Sequence, residues 1–128
     1  MLLHLSDLSP EPLHAQISRQ IRARILSGDL EEGSQLPSIR TLARKLNVSV
    51  ITTQRAYEDL DREGVINSRK GKGFFVAELT DEQKLKMALD RFRGNLRPIV
   101  SDALAGGLSQ SDVKRTLEDI MRSGGKRE

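Results

Sequence analysis

The chain has 128 residues, a net charge of +3, 30% charged residues, 3% aromatic residues and no cysteine. This length suits one ordinary domain or two very small ones, and the lack of cysteine excludes disulfides, thiolate metal sites and cysteine nucleophiles. No window holds the roughly 18 consecutive apolar residues of a membrane span, and the N-terminus lacks the pattern of a secretory signal. We therefore expect a cytoplasmic protein that does not contact membranes. The two histidines, His4 and His14, form no metal-binding motif, so we predict no metal site and no cofactor.

The first predicted element is a helix over 11–27, preceded by an arm over 1–9 that has no periodic pattern and is interpreted as loose. Pro12 suits the first helical position, where its missing N–H would be unpaired anyway. Gly28 follows the last apolar position and is a natural stop for the helix. Apolar residues recur every four positions along this segment, at Leu13, Ile17, Ile21 and Ile25.

Two short helices are predicted after a turn-rich connector over 28–37. Ser38 can cap the first helix, and Ser49 can cap the second, which ends at Gly64. The inner faces of these helices are formed by Ile39, Leu42, Ala43 and Leu46, and by Thr53, Ala56, Tyr57 and Leu60. Two helices of this length with only Asn47-Val48-Ser49 between them are typical of a helix-turn-helix.

A β-hairpin is predicted between Val65 and Ala77, where two short β-prone runs flank a basic tip with two glycines. A hairpin directly after the second helix of such a pair is a wing. The sequence therefore indicates a mostly α-helical winged helix-turn-helix with one small β-hairpin. The tip consists of Arg69, Lys70, Gly71, Lys72 and Gly73.

The C-terminal part predicts one kinked helix over 81–105 and a second helix over 110–122, followed by a frayed tail over 123–128. Pro98 lies inside the first of these helices, and Gly94, four residues earlier, lets the backbone bend. Ser109 and Asp112 have the spacing of a capping box, with Leu108 and Val113 at the positions of a hydrophobic staple. A heptad-like apolar stripe runs along the first helix at Leu85, Leu89, Phe92, Leu96, Ile99 and Ala103.

This stripe has two interpretations. It could form a helical core within one chain, but two helices alone bury such a stripe poorly. We therefore favour a dimer interface, and we divide the chain into a winged helix-turn-helix domain over 10–78 and a two-helix dimerisation region over 79–123.

The charge pattern is consistent with nucleic-acid binding. No acidic residue lies between Gly33 and Tyr57, or between Gly64 and Ala77. The N-terminus of the third helix also attracts phosphate through its free N–H groups. Basic residues gather at both places, although Arg44 and Lys45 could be solvated and Arg55 could pair with Asp59. This arrangement suits duplex DNA, with a helix N-terminus in the major groove and a basic wing beside it. The basic residues concerned are Arg40, Arg44, Lys45 and Arg55, with Arg69, Lys70 and Lys72 in the hairpin.

Residues 12–76 resemble the DNA-binding domain of the GntR family of bacterial repressors. The short C-terminal part is similar to that of the YtrA subfamily. The resemblance implies a homodimeric transcriptional repressor that binds a palindromic operator in double-stranded DNA. It rests on an ordered set of motifs, namely Leu36-Pro37-Ser38-x-Arg40, Leu42-Ala43, Asn47-Val48-Ser49, Gln54-Arg55-Ala56-Tyr57, Glu63-Gly64 and Gly71-Lys72-Gly73.

The resemblance also implies roles for individual residues. Arg40 matches the family's DNA-contacting arginine, and the wing tip matches at Gly71, Lys72 and Gly73. The chain departs from the family where two apolar residues begin the recognition helix. These cannot donate to base edges but can pack on a thymine methyl group, which moves the expected hydrogen bonding to Gln54, Thr52 and the wing. The recognition-helix positions are Ser49, Val50, Ile51, Thr52 and Gln54.

Two other functional classes were weighed. A winged helix can also serve as a protein-interaction or RNA-binding module, and that alternative stays open. An enzyme is not expected, because the sequence has no catalytic motif or phosphate-binding loop. The sequence leaves open whether a small-molecule effector binds; if one does, its site would lie between domains or protomers, because the C-terminal part is too small for a large pocket.

Overall fold

The computed structural model describes residues 1–124, and residues 125–128 of the predicted tail lie outside the described part. The fold is mostly helical with one antiparallel hairpin, as predicted. The elements in chain order are α1 (Leu13–Leu26), α2 (Ile39–Leu46), α3 (Val50–Glu63), β1 (Ile66–Arg69), β2 (Gly73–Val76), α4 (Asp81–Ala105) and α5 (Gln110–Arg122).

The predicted helix signals are found at the predicted residues, with one shift. The side chains of Ser38 and Ser49 cap α2 and α3, and Gly64 ends α3 with a φ of 85°. Asn47 ends α2 in the left-handed conformation, which Asn tolerates better than most residues do. Pro12 lies one position earlier than expected, as the N-cap of α1 rather than its first residue. Its carbonyl accepts the backbone N–H groups of Ala15 and Gln16.

The core of the first compact unit, Met1–Leu85, lies between α1, α2, α3 and the hairpin. The predicted inner face of α3 is confirmed, since all four of its residues are buried. The Tyr57 hydroxyl donates a hydrogen bond to the Pro37 carbonyl oxygen at 2.7 Å. Its ring meets Phe74 edge-on, with ring centroids 5.0 Å apart. Burial raises the pKa of the Tyr57 hydroxyl above its usual range, so the group stays a neutral donor.

The hairpin is confirmed, and it gains a third segment that the sequence did not predict. Strands β1 and β2 pair from Ile66 opposite Val76 to Arg69 opposite Gly73. The end of the connector before α2 joins the outer edge of β2, where Gln35 forms an isolated bridge with Phe75. The residue before a proline is biased towards extended conformations, which explains why the chain runs as a strand just before Pro37. The linker between α1 and α2 is thereby fixed to the wing.

The interpretation of residues 1–9 as a loose arm is wrong. The side-chain amide of Gln20 accepts from the backbone N–H of His4 and donates to its carbonyl, at 2.8 and 2.6 Å. One turn earlier, the amide of Gln16 binds both backbone groups of Ser6, each at 2.9 Å. Leu3, directly before His4, is buried. Side chains of α1 therefore hold the arm by its backbone, although its sequence has no periodic pattern.

The C-terminal part contains the two predicted helices. Helix α4 is continuous through Pro98, and the capping box of Ser109 and Asp112 at the start of α5 is present. The first turn of α4 belongs to the first unit, where Lys84 pairs with Glu32 at 3.1 Å. The second unit begins at Lys86. Within residues 1–124, no helix has the length and apolar character needed to cross a membrane.

Candidate nucleic-acid interface

The first turn of α3 is fixed by a side-chain cap. The Ser49 Oγ accepts the backbone N–H of Thr52 at 3.0 Å and donates to the Thr52 Oγ1 at 2.8 Å. These two predicted DNA-binding residues therefore bond to each other and fix the helix start. The Thr52 hydroxyl keeps its own proton free to donate, whereas the Ser49 hydroxyl is committed to the cap.

The two apolar residues that begin α3 are not part of the core. Val50 is 39% exposed and Ile51 is 77% exposed. A large aliphatic side chain that is exposed beside the polar groups of a helix N-terminus does not stabilise the fold of this chain. Such side chains can contact the methyl group of thymine in a major groove, as the sequence suggested.

Gln54 lies one turn after Val50 and is also exposed. Its Nε2 donates a hydrogen bond to the Glu58 Oε1 at 2.9 Å. Glu58 is not among the residues predicted from the sequence, although its spacing of four residues from Gln54 was a usable signal.

The cations of α2 and of the N-terminal half of α3 carry no acidic partner within residues 1–124. The predicted alternative for Arg55, an ion pair with Asp59, is wrong. Asp59 lies 3.0 Å from Arg62 and 3.6 Å from the His14 Nδ1. Arg55 is thus left exposed and without an ion pair in the part of the chain that the structure describes. The same holds for Arg40, Arg44 and Lys45.

The rest of the first unit is arranged differently. Arg22 is buried and forms a bidentate ion pair with Glu63. The Arg22 Nε and Nη2 atoms lie 2.6 and 2.7 Å from the two carboxylate oxygens. Arg19 pairs with Glu11 at 3.0 Å, and the Arg24 guanidinium donates to the carbonyl of Leu2. Positive charge is therefore neutralised or used elsewhere but left uncompensated on α2, the N-terminal half of α3 and the hairpin. An uncompensated cluster of this kind is what attracts a polyanion.

The wing tip is a tight turn from Arg69 to Lys72. The Lys72 N–H donates to the Arg69 carbonyl at 2.9 Å, and Gly71 has a φ of 74°, which the third position of a type II turn requires. The Arg69 guanidinium lies over the Phe75 ring, 4.2 Å from its centroid. The contact with Phe75 fixes the direction of Arg69, while Lys70 and Lys72 remain exposed.

Gln35 is the residue of this surface that the sequence analysis missed. Its Nε2 donates to the Lys72 carbonyl at 2.7 Å. A Cβ added to Gly73, whose φ is 105°, would lie only 3.1 Å from the same Nε2. No local signal could have revealed this contact, because the two bonded residues are 37 positions apart.

The predicted dimer stripe lies along α4, and no residue of α4 or α5 is buried. Phe92 is 58% exposed and Ile99 is 64% exposed. The first interpretation of the stripe, a core within one chain, is therefore wrong. A groove along the same helix shares Leu89, Phe92 and Leu96 with the stripe. Its other lining residues are Val100 and Leu104, with Arg93, Arg97 and Ser101.

No metal centre is visible among residues 1–124, where no three potential ligands from His, Asp and Glu cluster. The chemistry of the surface formed by α2, the N-terminal half of α3 and the wing tip is that of a polyanion-binding surface with a few hydrogen-bonding and apolar side chains at its centre.

Comparison with known proteins agrees with this surface. Residues 13–76 match the family described as bacterial regulatory proteins, gntR family. The HTH-type transcriptional repressor YtrA of Bacillus subtilis is 26% identical over 98% of both chains. An uncharacterized HTH-type transcriptional regulator of the same organism, YhcF, is 36% identical over 91% of this chain and 95% of its own length.

Solved structures are similar as well. A transcriptional antiterminator from Listeria monocytogenes superposes with a TM-score of 0.75 at 28% identity, covering 94% of this chain and 90% of the other. The DNA-binding domain of AraR, solved in complex with an operator, superposes with a TM-score of 0.51 at 28% identity. That match covers 60% of this chain and 94% of the AraR domain. The similarity therefore includes a protein whose structure contains operator DNA.

Proposed function

The chain belongs to the GntR family and is a DNA-binding transcriptional regulator of the YtrA type, and from that premise we propose that it is a repressor that binds a palindromic operator as a homodimer. The N-terminal turn of α3 enters the major groove, and the wing contacts the adjacent backbone. The observation that carries this proposal is the uncompensated positive surface formed by α2, the N-terminal half of α3 and the wing tip, described above.

The side chains of this surface divide into two groups. Gln54, Thr52, Val50 and Ile51 are the candidates for base contacts, because they lie on the first turns of α3 and are at least partly exposed. The cations contact phosphates, which fix position and supply most of the salt-dependent affinity. Arg40 has no partner among the described residues, so it is free to contact either a base edge or a phosphate. The cations that we assign to phosphate contacts are Arg44, Lys45, Arg55, Arg69, Lys70 and Lys72.

The partner of the C-terminal helices is a second copy of the chain. The apolar stripe of α4 is exposed in one chain, from Leu85 at 61% to Ile99 at 64%. It repeats at intervals of four and three residues, the spacing of helices that pack lengthwise against each other. Leu108, Ile120 and Met121, on and just before α5, add exposed apolar surface. Exposed apolar surface of this extent is typical of an interface.

A dimer also binds DNA more tightly than a single chain does. One winged helix makes few phosphate contacts and binds weakly at physiological salt. Joining two units raises the effective concentration of the second without any new kind of contact. Two-fold symmetry also matches a palindrome, with half-sites about 10 bp apart or at a related spacing.

The test uses Phe92→Glu in the full chain. A carboxylate at the centre of the stripe would be buried without a partner in a dimer, which costs several kcal/mol (about 3–5 for a broken buried pair). Sedimentation should show a monomer, and fluorescence anisotropy on a duplex selected from a random library by the wild-type chain should show greatly weakened binding. Ala105→Glu adds the same charge on the other side of α4 and should change neither measurement.

Two results would contradict the proposal. A Phe92→Glu chain that stays dimeric, or a monomer that binds the selected duplex as tightly as wild type, rules out the α4 stripe as the source of operator affinity. Binding to duplex DNA that hardly depends on salt would instead favour a protein-interaction module, because phosphate contacts release counterions.

A further inference from the structure

Gln54 and Glu58 form a hydrogen-bonded pair on the exposed face of the recognition helix. The distance from the Gln54 Nε2 to the Glu58 Oε1 is 2.9 Å, and both residues are exposed. A carboxylate can only accept hydrogen bonds at neutral pH, so the Gln54 nitrogen, not its oxygen, must face Glu58. The pair therefore fixes which way the Gln54 amide is turned.

The remaining groups of this amide match one base. A glutamine amide recognises adenine by accepting from the N6 amino group and donating one N–H to N7. The amide nitrogen has two N–H groups. With one of them donated to Glu58, one N–H and the carbonyl oxygen of Gln54 are left, and this is the set that adenine requires.

Guanine requires a different set. It presents two acceptors, N7 and O6, at the same edge of the major groove. Gln54 could satisfy both only by turning its NH₂ group towards the base, and one of its two N–H groups is already engaged by Glu58. Turning both N–H groups to guanine would leave the Glu58 carboxylate without its donor from Gln54.

We propose that Glu58 is a positioning residue that makes Gln54 select adenine over guanine at one position of each operator half-site. This proposal rests on the function proposed above, in which α3 lies in the major groove. Glu58 does not contact the base itself. It acts through the orientation of Gln54, and its negative charge also disfavours non-specific association with the phosphate backbone.

The experiment measures base preference rather than affinity alone. The full wild-type chain selects duplexes from a random library, and binding is then measured for all four bases at each position of the selected site. Gln54→Ala identifies the position that depends on Gln54. A good bidentate contact discriminates against the wrong base by about 1–3 kcal/mol, or roughly 5- to 150-fold.

Glu58→Ala should reduce the adenine-to-guanine ratio at that position by at least about threefold, a part of the full bidentate discrimination. Glu58→Gln should keep most of the ratio, because its amide oxygen can still accept the Gln54 N–H. Asp61→Ala is the matched control, since Asp61 is an exposed acid on the same helix. It should raise affinity slightly for all sequences and leave the ratio unchanged.

The outcomes separate the two proposals. An adenine preference that Gln54→Ala removes, and that Glu58→Ala leaves intact, overturns the role of Glu58 alone. A site whose preferences do not change with Gln54→Ala overturns both the role of Glu58 and the placement of Gln54 at a base. Equal changes of the ratio with Glu58→Ala and Asp61→Ala would reduce the effect to general electrostatics and would also overturn the proposal.

Discussion

The side chain of Gln35 holds the backbone of Lys72, with the Gln35 Nε2 donating to the Lys72 carbonyl oxygen at 2.7 Å. Gln35 belongs to the segment that leads into α2, and Lys72 is at the tip of the wing. The bond therefore ties the wing tip to the helix-turn-helix, and it does so on a residue that we place at the DNA backbone.

Gln35→Ala should weaken operator binding by about 0.5–1.5 kcal/mol, the net value of a typical hydrogen bond. The wing would keep its β1–β2 pairing but lose the contact that fixes its tip. Anisotropy titrations measure the affinity, and thermal unfolding monitors the fold. An unchanged affinity in a folded variant would show that the wing tip needs no anchor.

Gly73→Val should weaken binding more than Gln35→Ala does. Gly73 has a φ of 105°, which a β-branched residue hardly adopts, and its new Cβ would lie 3.1 Å from the Gln35 Nε2. The tip would have to move, and the Gln35 bond would be lost with it. The same titrations apply to Gly71→Ala, which also strains a positive φ (74°) but whose Cβ would meet nothing within 4 Å, so the comparison separates backbone strain from the clash with Gln35. Equal affinities of Gly73→Val and wild type would contradict a close approach of the tip to DNA.

Lys72→Ala should lower affinity for specific and random duplexes alike and reduce the salt slope by about one unit, as expected for one phosphate contact. The Lys72 side chain is exposed, so the fold should not change. Titrations at several salt concentrations on both kinds of duplex give the two slopes. A loss confined to the selected site would mean that Lys72 contacts a base instead.

Arg40→Ala should weaken binding to the selected duplex by about 1–3 kcal/mol if Arg40 contacts a base edge, and relax the preference at that position. Arg40 is exposed and has no hydrogen bond or ion pair within residues 1–124, so its removal leaves no buried group unpaired. Arg24→Ala is a control cation in the same unit, away from α2. Unchanged binding by a folded Arg40→Ala protein would remove Arg40 from the interface.

The buried Tyr57 should make the folded protein less stable at high pH. Burial raises its folded-state pKa, so the unfolded chain loses this proton first as the pH passes about 10, the ordinary value for tyrosine. The unfolded state then binds fewer protons, and stability falls as the pH rises. Urea unfolding between pH 9 and 11 should show a steeper decline for wild type than for Tyr57→Phe.

The same variant tests the hydrogen bond to Pro37. Below pH 9, Tyr57→Phe should be less stable by about 1–3 kcal/mol, because the Pro37 carbonyl loses its donor. Tyr57 is the only tyrosine and the chain has no tryptophan. Its ionisation can therefore be followed alone by ultraviolet absorbance, and an ordinary titration near pH 10 in the folded protein would contradict the burial argument.

The local elements of this protein were predictable because their signals are short-range. Ser38, Ser49 and Ser109 cap helices through bonds to residues three positions away, and each cap was found where the sequence indicated. Gly64 ends α3 because glycine readily adopts the positive φ of 85° found at this position. The exposed stripe of α4 likewise follows from periodicity, which fixes the face on which its residues lie.

Only the tertiary structure decided the contacts between distant segments. The arm over 1–9 has no pattern, yet Gln16 and Gln20 bind its backbone from α1. Gln35 reaches Lys72, Tyr57 reaches Pro37 and Arg22 reaches Glu63 across 37, 20 and 41 residues. The physical reason is that side-chain hydrogen bonds depend on three-dimensional distance and direction, and a linear pattern carries neither once the partners lie on different elements.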